Sequence, residues 1–304
     1  MEQIIQVNHI RKSYGTTVAV ADVSLAVNKG EIFCIVGPNG AGKTTTVESI
    51  IGLREPDSGT IKVMGLDPQQ NRIALAQRIG IQLQQAAIPQ RLKVWETLDL
   101  FASFYERTVP WEPLLEQWGL TEKRESYFQD LSGGQKQRLF IALALVNDPE
   151  IVFLDELTTG LDPQARRSTW ELVEAIREQG KTVVLVTHFM DEAEALSDRV
   201  AIIDQGKVIA LDTPQALIEK SSGEKRVVFQ ANGRFDTNLF NGLPGVSRVE
   251  QHGQRVTVYG PGDKLVSTVV NNLEENHIPF GNLQTEQPSL EDVFIALTGK
   301  EIRA

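Results

Sequence analysis

The sequence runs to 304 residues, with 30 Lys and Arg against 40 Asp and Glu and a formal net charge of −10. Near-average shares of hydrophobic (41%) and charged (23%) residues exclude a disordered chain, and the single cysteine, Cys34, excludes an internal disulfide framework or a thiolate zinc cluster. The acidic balance disfavours a non-specific nucleic-acid footprint, so no nucleic-acid partner is expected, and the length suits roughly two domains at about 150 residues each.

The opening MEQIIQVNHIRKSYG has no apolar stretch after its charges and so does not read as a secretory signal. Strand-like stretches follow at 4–10, 31–37, 60–65, 79–84, 151–156, 182–188 and 199–204. Several are continuous apolar runs of the kind expected for parallel strands covered on both faces. Helical patterns at 43–52, 165–179 and 190–196 alternate with them, which predicts a three-layer α/β core. Between about 85 and 150 the pattern turns to helices only (VWETLDLFASFYER, PWEPLLEQWGL, GGQKQRLFIALALV), predicting an inserted helical subdomain. The longest apolar run, 139–146, is far short of the roughly 18 residues that a bilayer span needs, so a cytosolic chain is expected whose membrane role, if any, is borrowed from a partner.

At 221 the polar string SSGEK opens a second unit, giving domains of 1–220 and 221–304. RVVFQA, a short helix near Thr237, SRVEQH, RVTVYG, a helix at 264–275 and a strand near Asn282 follow the order βαββαβ, the ferredoxin-like α+β pattern. The string SLED from Ser289 supplies a capping box for a last helix that stops at Gly299.

The chemistry begins at 37–44. GPNGAGKT matches G-x-x-x-x-G-K-[ST] directly after a buried strand and opens a helix, the setting in which backbone N–H groups turn toward a phosphate. Gly37, Pro38, Asn39, Gly40, Ala41, Gly42, Lys43, Thr44 and Thr45 form this cradle, with Lys43 reaching the β- and γ-phosphates and the Thr44 hydroxyl on Mg²⁺. A dinucleotide fold is excluded because Thr45 stands where G-x-G-x-x-G, counted from Gly40, needs its third glycine. IVFLDE at 151–156 puts two carboxylates at the C-terminal end of a strand: Asp155 for Mg²⁺, Glu156 to polarise the attacking water.

LSGGQ at 131–135 has a bland reading, since Ser132 and Gln135 are a capping box in their own right. Its place between the phosphate loop and the acidic strand changes that. GPNGAGKTT, LSGGQKQR, IVFLDE, TTGLD and VTH stand in the order of the ATP-binding-cassette transporter ATPases, which the chain resembles over 1 to about 220. The resemblance implies a P-loop core with antiparallel β and helical subdomains, ATP and Mg²⁺ as ligands, and ATP hydrolysis. It implies that Tyr14 stacks on adenine, Gln84 touches Mg²⁺ and water, His188 contacts the γ-phosphate, and Asp162 communicates across a dimer. Tyr14 also reads as a turn aromatic, Gln84 as the polar end of a strand, Asp162 as a helix N-cap and His188 as a core histidine.

In such a dimer, of two copies or of paralogues, each ATP lies between one P-loop and the other subunit's Ser132, Gly133, Gly134 and Gln135. The spanning helices are expected on a separate integral-membrane permease, with this chain peripheral on the inner face of the cell membrane. The family usually has a proline after the glutamate, where this chain has Leu157. The ending PSLEDVFIALTGKEI looks like that of drug-efflux and daunorubicin-resistance-type cassettes and so suggests export, although a regulatory or dimer-stabilising appendage fits the same residues. A soluble ATPase of the superfamily is the alternative, but translation-type members usually carry two cassettes, and the 89 residues from Lys43 to Ser132 leave no room for the coiled coil of chromosome-type members. A guanine-nucleotide switch would need NKxD after the loop, and NKGE at 28–31 precedes it and ends in Glu.

Overall fold

The computed structural model describes residues 2–82, 88–221, 224–231, 235–262 and 264–299. The chain divides into two compact units, the first ending at Pro214 and the second beginning at Gln215. This puts the last helix before the 221 break with the second unit.

The first unit opens with two long antiparallel strands, β1 (Gln3–Tyr14) and β2 (Thr17–Asn28), joined by a two-residue turn at which Gly15 has φ 58°. The sequence reading has no counterpart of β2, whose inward positions Val20, Val23, Leu25 and Val27 are buried while the residues between them are small or polar. β3 (Ile32–Val36), buried throughout, runs into helix α1 (Lys43–Ile50), and β4 (Ser58–Val63) pairs with β1. Next come a short α2 (Arg72–Ala76) and β5 (Ile79–Gln82). The helical stretch follows as α3 (Val94–Ala102), α4 (Trp111–Gln117) and α5 (Gly133–Leu145). Then come β6 (Ile151–Asp155), α6 (Pro163–Glu178), β7 (Thr182–Thr187), α7 (Met190–Leu196), β8 (Arg199–Asp204) and β9 (Lys207–Asp212), after which α8 (Pro214–Lys220) belongs to the second unit from Gln215 on. β9 is likewise absent from the sequence reading; it returns antiparallel to β8 through a two-residue turn of Gln205 and Gly206, both at positive φ as a type I′ hairpin requires.

These strands form one sheet in the order β4-β1-β2-β9-β8-β3-β7-β6-β5. The run β8-β3-β7-β6-β5 is parallel, and β3, β6 and β7 are buried at every position, which explains their unbroken apolar sequences. β3 sits between β7 and β8, so the loop that leaves it opens over the middle of the parallel sheet. Ile35, Val47, Phe153, Val184 and Ile203 from the strands and α1 share one core with Ile5, Val20 and Val23 of the hairpin.

The second unit contains β10 (Lys225–Ala231), β11 (Arg248–His252), β12 (Arg255–Gly260), α9 (Leu265–Glu275), β13 (Phe280–Glu286) and α10 (Leu290–Thr298), with a single 3₁₀ turn at Thr237–Phe240. Its antiparallel sheet has the order β11-β12-β10-β13. That order follows from two βαβ halves interleaved so that the first and third strands lie centrally, and Phe229, Phe240, Val258 and Leu273 fill its core. Ser289 caps α10 as part of a capping box with Asp292, and Gly299 ends it in the left-handed conformation.

Candidate functional site

The site is built where β3 hands over to α1. Gly37 is the first residue after the strand, and a Cβ there would stand 2.1 Å from the Ile203 carbonyl oxygen of β8. Gly42 precedes the helix at φ 102°, where a Cβ would meet the Ala19 carbonyl oxygen at 2.3 Å. Neither position has room for a side chain, so the loop is shaped by backbone contact with β8 and β2. The β8–β9 turn fixes it further: Gly206 N–H donates to the Ala41 carbonyl (2.9 Å), and the Gly206 carbonyl accepts from Ala21 N–H (2.8 Å) and Asp22 N–H (3.1 Å).

The first turn of α1 holds no acidic residue, so its N-terminal partial charge is open to an anion. The Lys43 ammonium is folded back onto the loop, donating to the carbonyls of Gly37 (2.8 Å) and Pro38 (3.1 Å). Only 6% of Lys43 is exposed. Burial lowers its pKa, against the opposing pull of Glu156 and Asp155.

Asp155 ends β6, is itself buried, and has its pKa raised to about 6, first by burial and then by the neighbouring Glu156, with Lys43 acting in the opposite sense. Glu156 follows at φ 49°, a left-handed conformation that a glutamate adopts only under constraint. Its N–H bonds the Val186 carbonyl at 2.8 Å, and its Oε1 lies 3.2 Å from His188 Nδ1. His188 leaves the end of β7, and its ring packs against Phe189 with centroids 4.1 Å apart.

Most of these parts face one cavity of about 640 Å³, lined by Thr17, Val18, Ala19, Asn39, Gly40, Gly42, Lys43, Thr44, Thr45, Glu156, Thr159 and His188; Gly37, Pro38, Ala41 and Asp155, predicted with them, are not among its lining residues. A glycine cradle, a helix start, a cation and a paired glutamate and histidine converge there. Thr17, Val18, Ala19 and Thr159 are additions to the sequence-predicted set. The signal for the first three is the alternating pattern of 17–28, which marks a strand starting next to the loop, and Thr159 stands in the TTGLD string.

The other predicted residues lie elsewhere or beyond description. Tyr14 ends β1 across the turn from Thr17, 41% exposed, with Arg54 and Lys12 set against its ring at 5.5 and 5.9 Å, and it is not among the cavity-lining residues. Gln84 lies outside the described residues. Ser132 caps α5 by accepting from Gln135 N–H (3.3 Å), while its own N–H donates to Gln135 Oε1 (3.0 Å). Ser132 and Gly133 are exposed, and a Cβ on Gly134 would touch Ala165 of α6 at 3.9 Å. Asp162 caps α6, accepting from Gln164 N–H (3.0 Å) and Ala165 N–H (2.9 Å). The starts of α5 and α6 thus lie together, and neither lines the cavity.

Fold and cradle together define a P-loop nucleoside triphosphatase. Residues 20–159 match the ABC transporter family. The Nod factor export ATP-binding protein I of Sinorhizobium fredii (strain NBRC 101917 / NGR234) is 37% identical over 308 residues, covering 98% of this chain and 87% of that one. The linearmycin resistance ATP-binding protein LnrL of Bacillus subtilis (strain 168) is 34% identical over 310 residues, covering 99% and 100%. Among solved structures, an ATP-binding subunit of an ABC transporter superposes with a TM-score of 0.65 at 28% identity, over 71% of this chain and 92% of that one. The dimeric bacterial ABC transporter cassette MJ0796 gives 0.62 at 28% identity, over 69% and 98%. The chain belongs to the ABC transporter family, as an ATP-binding subunit that hydrolyses ATP.

Proposed function

We propose that this chain drives a separate membrane permease, working as a head-to-tail pair that closes on ATP and reopens after hydrolysis. The observation that carries the reading is the placing of two helix N-termini: that of α1 opens into the cavity, whereas that of α5, capped by Ser132 and exposed, does not. A second copy presenting Ser132, Gly133, Gly134 and Gln135 to the γ-phosphate completes the site with another set of backbone donors. Asp162, at the adjoining helix start, then faces the same junction.

Within one chain, Lys43 leaves the Gly37 and Pro38 carbonyls for the phosphates, a move that trades neutral acceptors for charged ones. Glu156 orients the attacking water, and His188, bonded to it, contacts the γ-phosphate. Thr44, Asp155 and Gln84 are the residues to hold Mg²⁺. One buried carboxylate and one hydroxyl suit an ion that keeps phosphate and water as its other ligands, and when bound it neutralises charge developing on the β- and γ-oxygens.

Among the described residues no helix is long and apolar enough to cross a membrane, which fits a chain seated peripherally on the inner face through its permease. Leu100 (40% exposed) and Phe104 (62% exposed), at and just beyond the end of α3, offer apolar surface for that contact. Export of drugs or other small hydrophobic compounds is supported by the relatives named for Nod factor export and linearmycin resistance.

The test is Glu156→Gln with ATP, read by size-exclusion chromatography with light scattering. Hydrolysis falls by at least about 100-fold and a dimer accumulates. A variant that binds ATP and stays monomeric overturns the head-to-tail reading.

A further inference from the structure

Glu192 lies outside the cavity and outside every motif, yet its side chain is withdrawn from solvent altogether, at 0% exposure. It occupies the first turn of α7, four residues after His188. A carboxyl in such surroundings is costly to keep, and an apolar residue of similar size would fill the space without the penalty. Its surroundings indicate what it does there.

Four elements meet at this carboxyl. Its Oε1 accepts a hydrogen bond of 3.1 Å from Trp170 Nε1, on the helix that Asp162 caps. The Thr187 hydroxyl at the end of β7 and the Thr158 hydroxyl in the loop after β6 face it and partly offset the rise in pKa that burial causes. The thiol of Cys34 on β3 faces it too, and has its own pKa raised by burial first and by Glu192 second. Thr187 immediately precedes His188, and its hydroxyl oxygen accepts from Phe189 N–H at 3.0 Å, shaping the turn that presents the histidine. Thr158 stands two residues after Glu156. Glu192 Oε2 and the Thr158 hydroxyl are both buried without a well-formed hydrogen bond, so a small shift of the loop after Glu156 would complete one. A second link runs alongside: Arg166 of α6 pairs with Asp191 at 2.5 Å and stands over the rings of Trp170 and Phe189.

We propose that Glu192 is a positioning residue that ties the loop carrying Glu156 to the loop carrying His188 and connects both to α6, so that the pair keeps its geometry while ATP turns over. This rests on the reading that Glu156 and His188 act on the water and the γ-phosphate. Through Trp170 and α6 the tie also extends to Asp162 at the dimer junction, which gives the closing of the pair a route to the hydrolytic residues.

The experiment compares the full chain with Glu192→Ala, Glu192→Gln, Thr158→Val and His188→Ala, measuring kcat, ATP affinity by displacement of a fluorescent ATP analogue, and melting temperature. Glu192→Ala lowers kcat about tenfold or more with affinity held within about twofold, and adds nothing further in a His188→Ala background. Glu192→Gln, which keeps an acceptor for Trp170 and for the hydroxyls, recovers most of kcat. A folded Glu192→Ala with unchanged kcat overturns the tie, as does a fall in which kcat, affinity and melting temperature drop together. If Glu192→Ala does not fold, Thr158→Val decides at constant volume: an approximately threefold or greater loss of kcat at unchanged affinity supports the tie, and an unchanged kcat overturns it. A fully active His188→Ala chain refutes the site reading itself, whereas an inactive one beside a fully active Glu192→Ala refutes the tie alone.

Discussion

Asp155→Asn tests whether the nucleotide-free site is held at a cost to stability. Asp155 is 3% exposed and its pKa is raised from 3.8 to about 6 in the folded chain. A carboxyl with a raised folded-state pKa favours the folded chain fully below its unfolded pKa and loses that contribution as pH rises through the folded value. At pH 8 the full shift is unfavourable, worth about 2–3 kcal/mol at 1.36 kcal/mol per unit. Asn keeps the shape and removes the charge, so Asp155→Asn gains about 2–3 kcal/mol at pH 8 and only about 1 kcal/mol at pH 4.5. The assay is urea unfolding without nucleotide, in EDTA, followed by tryptophan fluorescence. Trp95, Trp111, Trp118 and Trp170 are the only four in the chain and all lie before Pro214, so the signal reports the first unit alone. A variant no more stable than the native chain at pH 8, or a gain that does not shrink toward pH 4.5, refutes the reasoning. The same variant should lose turnover, since the carboxylate that is costly in the empty site is the one assigned to Mg²⁺.

Three further outcomes are expected. Lys43→Ala weakens ATP binding by about 10- to 100-fold, the worth of one or two charge-assisted hydrogen bonds, measurable by isothermal titration; unchanged affinity would sink the assignment of the cradle. Gly42→Ala forces a Cβ to within 2.3 Å of the Ala19 carbonyl at φ 102°, and costs about 2 kcal/mol or more in urea unfolding along with loss of nucleotide binding. Ser132→Ala removes an N-cap worth about 1 kcal/mol and leaves single-chain ATP affinity intact while turnover falls about tenfold or more; parallel loss of affinity would mean that Ser132 serves its own chain's cavity.

Much of this was legible in the sequence because the residues concerned are locally constrained. The phosphate loop announces itself since a tight turn, a helix start and a lysine must be contiguous, and the parallel strands do so because burial on both faces leaves no polar position. The α10 cap and its glycine stop are likewise encoded within a dozen residues. β2 and β9 were missed for the opposite reason. Half-exposed antiparallel strands mix small and polar residues with apolar ones, and they owe their state to partners distant in sequence. With β2 went Thr17, Val18 and Ala19, the near wall of the cavity. Glu192 was illegible for a deeper reason: in sequence it is one acid among several on a short helix, and only packing shows that it faces inward while Asp191 is exposed.

The β8–β9 turn also fixes when the ATP site can come into being. Ile32 pairs with Val183, Phe33 with Arg199, and the phosphate loop is pinned by Gly206. Although the loop and its near wall at Thr17–Ala19 lie within the first fifty residues, the flanking strands β7 and β8 and the turn that pins the loop are supplied more than a hundred residues later. On the ribosome the N-terminal half therefore emerges with the motif and β2 but without β7, β8 and the Gly206 turn, and the nucleotide site is complete only after Gly206 has left the tunnel. A nucleotide site that needs Gly206 in place requires the parallel sheet first, and ATP, by binding the finished site, favours the chain in which that sheet is complete.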